Sequence, residues 1–161
     1  MAKKVFFTPA TSMDSVEQIQ QKIEALWRAA NFDRCFEAED LIAIKIHFGE
    51  KGNVTHIPAN FWKSLISRLH EKGGKPFFTD TCVLYRSQRS DAVNHLRLAA
   101  QHGFSLAETG APVIIADGLR GRNEIEIKIN GELFSEVAIA TEAVVANSMI
   151  VATHVTGHIA C

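Results

Sequence analysis

Histidine and aspartate stand directly after the short apolar runs of this chain. The first run, from Leu41, ends in His47-Phe-Gly-Glu-Lys-Gly-Asn-Val-Thr-His56, and the second ends in Thr79-Asp80-Thr81. A third ends in Asp117-Gly118, and the last in His154-Val-Thr-Gly-His158. Imidazole and carboxylate serve as acid and base near neutral pH and as ligands for borderline divalent metals. In an open parallel sheet, ligands bind outside the carboxyl ends of the strands, so strand-end residues of this kind predict one polar crevice. The competing reading is that Asp80 and Asp117 bond their own turns and that the histidines are solvated.

In the site so drawn, His154, His158 and Asp117 carry the chemistry, the histidines as bases or metal ligands and Asp117 as the group that orients one of them. His47, Lys51, Asn53, His56, Asp80 and Arg86 bind the ligand, with Lys51 and Arg86 neutralising an anion. His154 and His158 would share a face, and a metal, only on a helix, which Gly157 disfavours. The loop Gly49-Glu-Lys-Gly-Asn53 lacks the full phosphate-loop pattern. His70, His95 and His102 fall on helical segments and read as surface or packing residues, and Lys72-Gly-Gly-Lys75 reads as a helix stop.

These residues need a scaffold, and the apolar periodicity supplies it. Val16, Ile19, Ile23, Leu26, Trp27 and Ala30 follow helical spacing behind Ser12 or Ser15 as cap. Leu41–His47 is a short β-branched strand; Pro58 opens a helix carrying Phe61, Trp62, Leu65, Ile66 and Leu69, and Pro76–Thr81 is the next strand. A third helix runs from Ser90 as cap to Gly103, before an apolar strand from Pro112 to Asp117. Such alternation predicts an α/β fold, a mainly parallel sheet with helices on both faces, since each parallel strand returns through a crossover. Glu124–Ile129 alternates strictly, Asn130-Gly131 predicts a type I′ turn with positive φ at both positions, and Leu133–Ile139 returns as an inserted antiparallel hairpin. A short helix at residues 141–146 precedes a last strand, Met149–His154.

With 161 residues, 47% hydrophobic and 22% charged, the chain predicts one α/β domain, residues 1–161, able to bury roughly 70% of its unfolded surface. A formal charge of −1 and the lack of a basic run argue against a general nucleic-acid binder. The apolar stretch Val137–Val155 is broken by Thr141, Glu142, Asn147 and Ser148, and the first residues hold too short an apolar run for a secretion signal. No membrane association and a cytoplasmic location are expected. Cys35, Cys82 and Cys161 are three scattered thiols, which suit neither a disulfide framework nor a four-cysteine cluster.

The blocks Ile44-Lys-Ile-His-Phe-Gly-Glu-Lys-Gly-Asn-Val-Thr-His56, Gly74-Lys-Pro-Phe-Phe-Thr-Asp-Thr81 with Leu84-Tyr-Arg86, and Gly110-Ala-Pro-Val-Ile-Ile-Ala-Asp-Gly118 resemble, in order, the iron–sulfur centre proteins grouped as domain of unknown function 362. Asn130-Gly131 and Thr153-His-Val-Thr-Gly-His158 fit the same series. The resemblance implies the N-terminal part of a longer protein, with a ferredoxin-type cluster only in a longer form. Two functions follow as expectations. One is a metal- or iron–sulfur-associated enzyme or redox module, binding a small polar or anionic molecule at the sheet edge, with a divalent metal as candidate cofactor. The other is a noncatalytic scaffold that associates with itself as a homo-oligomer or with the missing C-terminal half.

Overall fold

The computed structural model describes residues 4–155. Helix α1 (Val16–Ala30) starts at Ser15, whose hydroxyl accepts from the Gln18 N–H while the Gln18 side chain accepts from the Ser15 N–H, a reciprocal capping box. It ends at Asn31, in the left-handed conformation with φ 53°. Strand β1 (Leu41–Ile46) is followed by a long loop, a three-ten turn at Ala59–Trp62 and helix α2 (Lys63–Glu71). Strand β2 (Lys75–Asp80) leads to α3 (Ala92–Gln101), the single turn α4 (Leu106–Thr109) and strand β3 (Val113–Ile115). Strands β4 (Glu124–Lys128) and β5 (Glu136–Ala140), helix α5 (Thr141–Val145) and strand β6 (Ser148–Ala152) complete the described chain.

Four strands form one parallel sheet in the order β3-β2-β1-β6, and β4 and β5 form a separate antiparallel pair. The fold is therefore α/β with the hairpin set into the series. Register puts Ile42, Ile44 and Ile46 on one face beside Phe78, Ile115, Ile150 and Ala152. There they join Trp27 of α1, Leu65, Ile66 and Leu69 of α2, and Ala92 and Ala99 of α3 in one buried cluster. Trp27 Nε1–H donates to Asp33, which also pairs with Arg68, so a polar clamp holds α1 to α2. The opposite face has Ala43, Phe77 and Thr79 buried at its centre, but Leu41, Ile114, Met149 and Val151 remain exposed.

Three local expectations are corrected. Asp91, not Ser90, caps α3 by accepting from the Asn94 N–H, while the Ser90 hydroxyl donates to the Ser87 carbonyl. Strand β3 is confined to three residues, because Asp117 turns the chain two positions later. Asn130-Gly131 is not a type I′ turn, since neither residue has positive φ. The pairing instead sets Ile125 against Ile139 and Ile127 against Val137, with Ile129 N–H donating to the Ser135 carbonyl. A two-residue turn would have placed Ile125 opposite Glu136; cross-strand pairing of β-branched side chains sets the register and leaves a longer loop.

Candidate functional site

All four strands of the sheet point the same way, so the segments after β1, β2, β3 and β6 leave from one end of it. Between the ends of the neighbours β1 and β6 lies a cavity of about 180 Å³, lined by Ile46, His47, Glu50, Asn53, Thr55, His56, Ile57, Ala152 and His154. Four residues expected from the sequence, His47, Asn53, His56 and His154, thus share one wall.

His47 is held by the turn that follows it. The Gly49 N–H donates to His47 Nδ1 at 2.8 Å, so Nδ1 supplies a lone pair and the neutral ring carries its proton on Nε2. Burial, and then the positive charge of Arg89, keep this imidazole below its ordinary pKa against the opposing pull of Asp80 and Glu50. Gly49 has φ +91°, which favours glycine, and a Cβ there would lie 2.7 Å from His102 Nδ1 and 2.8 Å from His56 Nδ1. The His56 and His102 rings are stacked, with centroids 4.4 Å apart and planes 13° apart. His102 Nδ1–H donates to the Phe48 carbonyl at 2.7 Å, the only role a carbonyl partner leaves it. His56 is lowered by burial and by His102, partly offset by the Asn53 backbone. The Asn53 side chain accepts from the Thr55 N–H and hydroxyl, which fixes the loop.

Behind this wall lies a charge cluster that the sequence reading did not anticipate. Arg89 donates through Nε to Glu50 Oε1 at 2.7 Å, through Nη1 to Asp80 Oδ2 at 3.2 Å, and through Nη2 to the Tyr85 hydroxyl at 2.8 Å. The Tyr85 O–H in turn donates to Glu50 Oε1 at 2.7 Å. Burial would raise Glu50, but the Tyr85 and Arg89 hydrogen bonds outweigh it and hold the carboxyl below its ordinary value. Burial also works against the Arg89 charge, and Tyr85 and Glu50 overcome it, so this guanidinium is raised.

Other candidate residues stand elsewhere. Asp80 is buried against Arg89, with Lys45 Nζ at 3.6 Å, and does not line the cavity. Both carboxylate oxygens of Asp117 accept from the Cys82 N–H, at 3.0 and 2.9 Å, and its carbonyl accepts from the Arg122 and Asn123 N–H groups. Asp117 thus ties the ends of β2 and β3 to the following turn, the structural use of a strand-end aspartate. Lys51 and Arg86 are exposed and outside the cavity lining, and the buried arginine of their region is Arg89. His158 and Cys161 lie outside the described residues.

No group of three or more His, Cys, Asp or Glu side chains among the described residues is placed to hold a metal ion. No helix among them is long and apolar enough to cross a membrane. Glu50 and Arg89 escaped the sequence reading because they lie 39 positions apart, and only the alternation of apolar strands with polar loops hinted that these loops meet. A family model described as a domain of unknown function, DUF362, matches residues 42–161. No curated protein and no solved structure matches the chain.

Proposed function

The chain belongs to the DUF362 family, and from that premise we propose that the cavity between the ends of β1 and β6 binds a small polar molecule and offers it proton-transferring groups. The observation that carries this reading is the gathering of His47, Glu50, Asn53, His56 and His154 around one 180 Å³ space. Two segments of the chain supply them, the one after β1 and the one after β6, and convergent polar groups in a concave site are the usual mark of a ligand pocket. A neutral His47 presents an Nε2–H donor and Glu50 an acceptor, the complement a polar ligand requires. His154 and His47 are both exposed, so a ligand in the cavity can reach either ring.

The residues present do not fit an iron–sulfur centre. The chain holds 3 cysteines, with Cys35 exposed beside α1 and Cys82 following β2, and its thiol is pushed up to about 11 by burial and by Asp117. Cluster ligands are thiolates, so no step of this reading passes through such a group. The bond from Gly49 to His47 also runs opposite to the usual pattern of a metal-ligating histidine, which donates its second nitrogen to a backbone or carboxylate oxygen.

Ring-resolved histidine NMR during titration with a panel of small polar compounds is the test. A ligand of this pocket shifts His47, His56 and His154 together and leaves His70, whose Nε2 meets the Gly110 carbonyl, unchanged. Compounds that bind while moving none of the three would overturn the reading.

A second reading, self-association of a noncatalytic scaffold, has its own observation. Strand β6 pairs with β1 alone among the described strands, and Met149 and Val151 beside its open edge are exposed. An unpaired strand edge is a template for another strand, and a second copy of this chain supplies an identical one.

A further inference from the structure

The charges around the pocket restrict what enters it. Among the described residues its lining holds no lysine or arginine, and Glu50 is the one of them with a fixed charge at neutral pH. The nearest guanidinium, Arg89, is turned away from solvent, with its side chain 6% exposed against 30% for Glu50. Its Nε, Nη1 and Nη2 are engaged by Glu50, Asp80 and Tyr85. An approaching molecule therefore meets the carboxylate first, with the compensating cation behind it. Within that carboxylate, Oε1 accepts from both Tyr85 and Arg89, whereas Oε2 accepts from no protein group among the described residues. Lys51 and Arg86, which would have favoured an anion, stand outside the lining.

Resting on the reading of this cavity as a ligand site, we infer that it takes its ligand through a positively charged donor, a small alkylammonium group seated against Glu50. A carboxylate only accepts hydrogen bonds, and an ammonium meets it with both charge and protons. His47, fixed as an Nε2–H donor by Gly49, is the complementary group for an oxygen on the same ligand. The chemistry is that of an amino alcohol or an amino amide rather than of a carboxylic acid or a phosphate. Because Tyr85 and Arg89 hold Glu50 in place before anything binds, the site is organised in advance.

The test uses the full chain at pH 7 and three probes of nearly equal size: 2-aminoethanol, ethylene glycol and glycolate, which carry one positive, no and one negative charge. Histidine-ring NMR reads both affinity and place. We expect 2-aminoethanol to bind about tenfold more tightly than ethylene glycol, the margin of a charge-assisted over a neutral hydrogen bond. Glycolate should bind most weakly, and the preference for the cation should be lost in Glu50→Gln. Glycolate binding most tightly, with shifts at His47 and His154, would overturn this inference and leave the ligand site standing. Equal binding of all three at those rings would also overturn it, since charge would then play no part. If no probe moves those rings, the reading of the cavity as a ligand site falls, and this inference with it. The charge series in the unaltered chain stands even if Glu50→Gln disturbs the Arg89 cluster.

Discussion

The Gly49 N–H donates to Nδ1 of His47, two residues back, at 2.8 Å, so a backbone turn chooses the tautomer of a side chain in the pocket wall. A protonated ring would set two N–H groups against each other at that point, which adds to the effect of burial and of Arg89. His47 should therefore be the Nε2–H tautomer at pH 7 and titrate below the ordinary 6.5 for histidine. Nitrogen-15 shifts of the ring check both statements. A proton on Nδ1, or titration at or above 6.5, would contradict the geometry.

Gly49 itself should tolerate no side chain. An added Cβ faces φ +91° and ring nitrogens of His102 and His56 at 2.7 and 2.8 Å. Backbone strain and overpacking together predict a loss of about 2–4 kcal/mol for Gly49→Ala, measured by urea unfolding. Gly52, at φ +79° with nothing within 4 Å, isolates the backbone part. Gly52→Ala should cost only about 1 kcal/mol. Equal costs at the two positions would mean that the stacked rings do not constrain Gly49.

Arg89 holds three segments together, and its loss should be severe. Arg89→Met leaves Asp80, 5% exposed, and the partly buried Glu50 without their guanidinium. Breaking a buried pair by removing one partner costs about 3–5 kcal/mol. Arg89→Lys should recover little, because an ammonium does not reproduce the planar fork that reaches Glu50, Asp80 and Tyr85 at once. Denaturant midpoints of both variants close to that of the unaltered chain would refute the structural role assigned to this cluster.

The alternation that made the scaffold legible made the site legible only by half. Ile42, Ile44 and Ile46 announce a strand with one buried face, and His47 and His154 follow strands that turn out to be neighbours. Local spacing cannot say which of two nearby arginines turns inward. Arg86 and Arg89 differ in burial because Asp80 and Glu50, remote in sequence, wait beneath only one of them. His102 reads as a surface or packing residue from its place on a helical segment, and it does pack, but against His56 in the pocket wall, a contact spanning 46 positions that local spacing does not show. At Asn130-Gly131 a strong local turn signal lost to pairing between Ile125 and Ile139.

His95 is fully buried, its ring set edge-on to Phe48 at 5.5 Å, and neither ring nitrogen has a hydrogen-bond partner among the described residues. Burial pushes its pKa from 6.5 down to about 4, with Arg89 assisting and Asp80, Asp117 and Glu50 opposing. The unfolded chain therefore binds more protons between pH 6.5 and 4, and stability falls as pH drops through that window. The contribution of this group is on the order of 3 kcal/mol. His95→Leu should flatten the acid limb of stability against pH and, by removing unpaired buried polar atoms, raise stability at pH 7 by about 1 kcal/mol. An unchanged acid limb would show that His95 is not the group responsible.

The self-association reading makes a prediction that the pocket reading does not. On the face opposite α1, α2 and α3, register aligns Leu41, Met149, Val151 and Ile114 as exposed apolar positions, of which Val151 is 64% exposed. Lys45 lies on the same face between Thr79 and Val151, and its charge works against burial there. A second copy pairing along β6 would cover Val151 and Met149 while leaving Lys45 at the rim, an interface too small for tight association. Weak dimerisation is expected, with sedimentation equilibrium showing monomer and dimer together as concentration rises through the micromolar range. Val151→Lys puts a second cation on that face beside Lys45 and should weaken the dimer by about tenfold or more without altering the fold. Glu50→Gln, at the pocket, should leave it unchanged. A chain that remains monomeric throughout, or a dimer indifferent to Val151→Lys, would remove the open edge of β6 as the basis of a scaffold function.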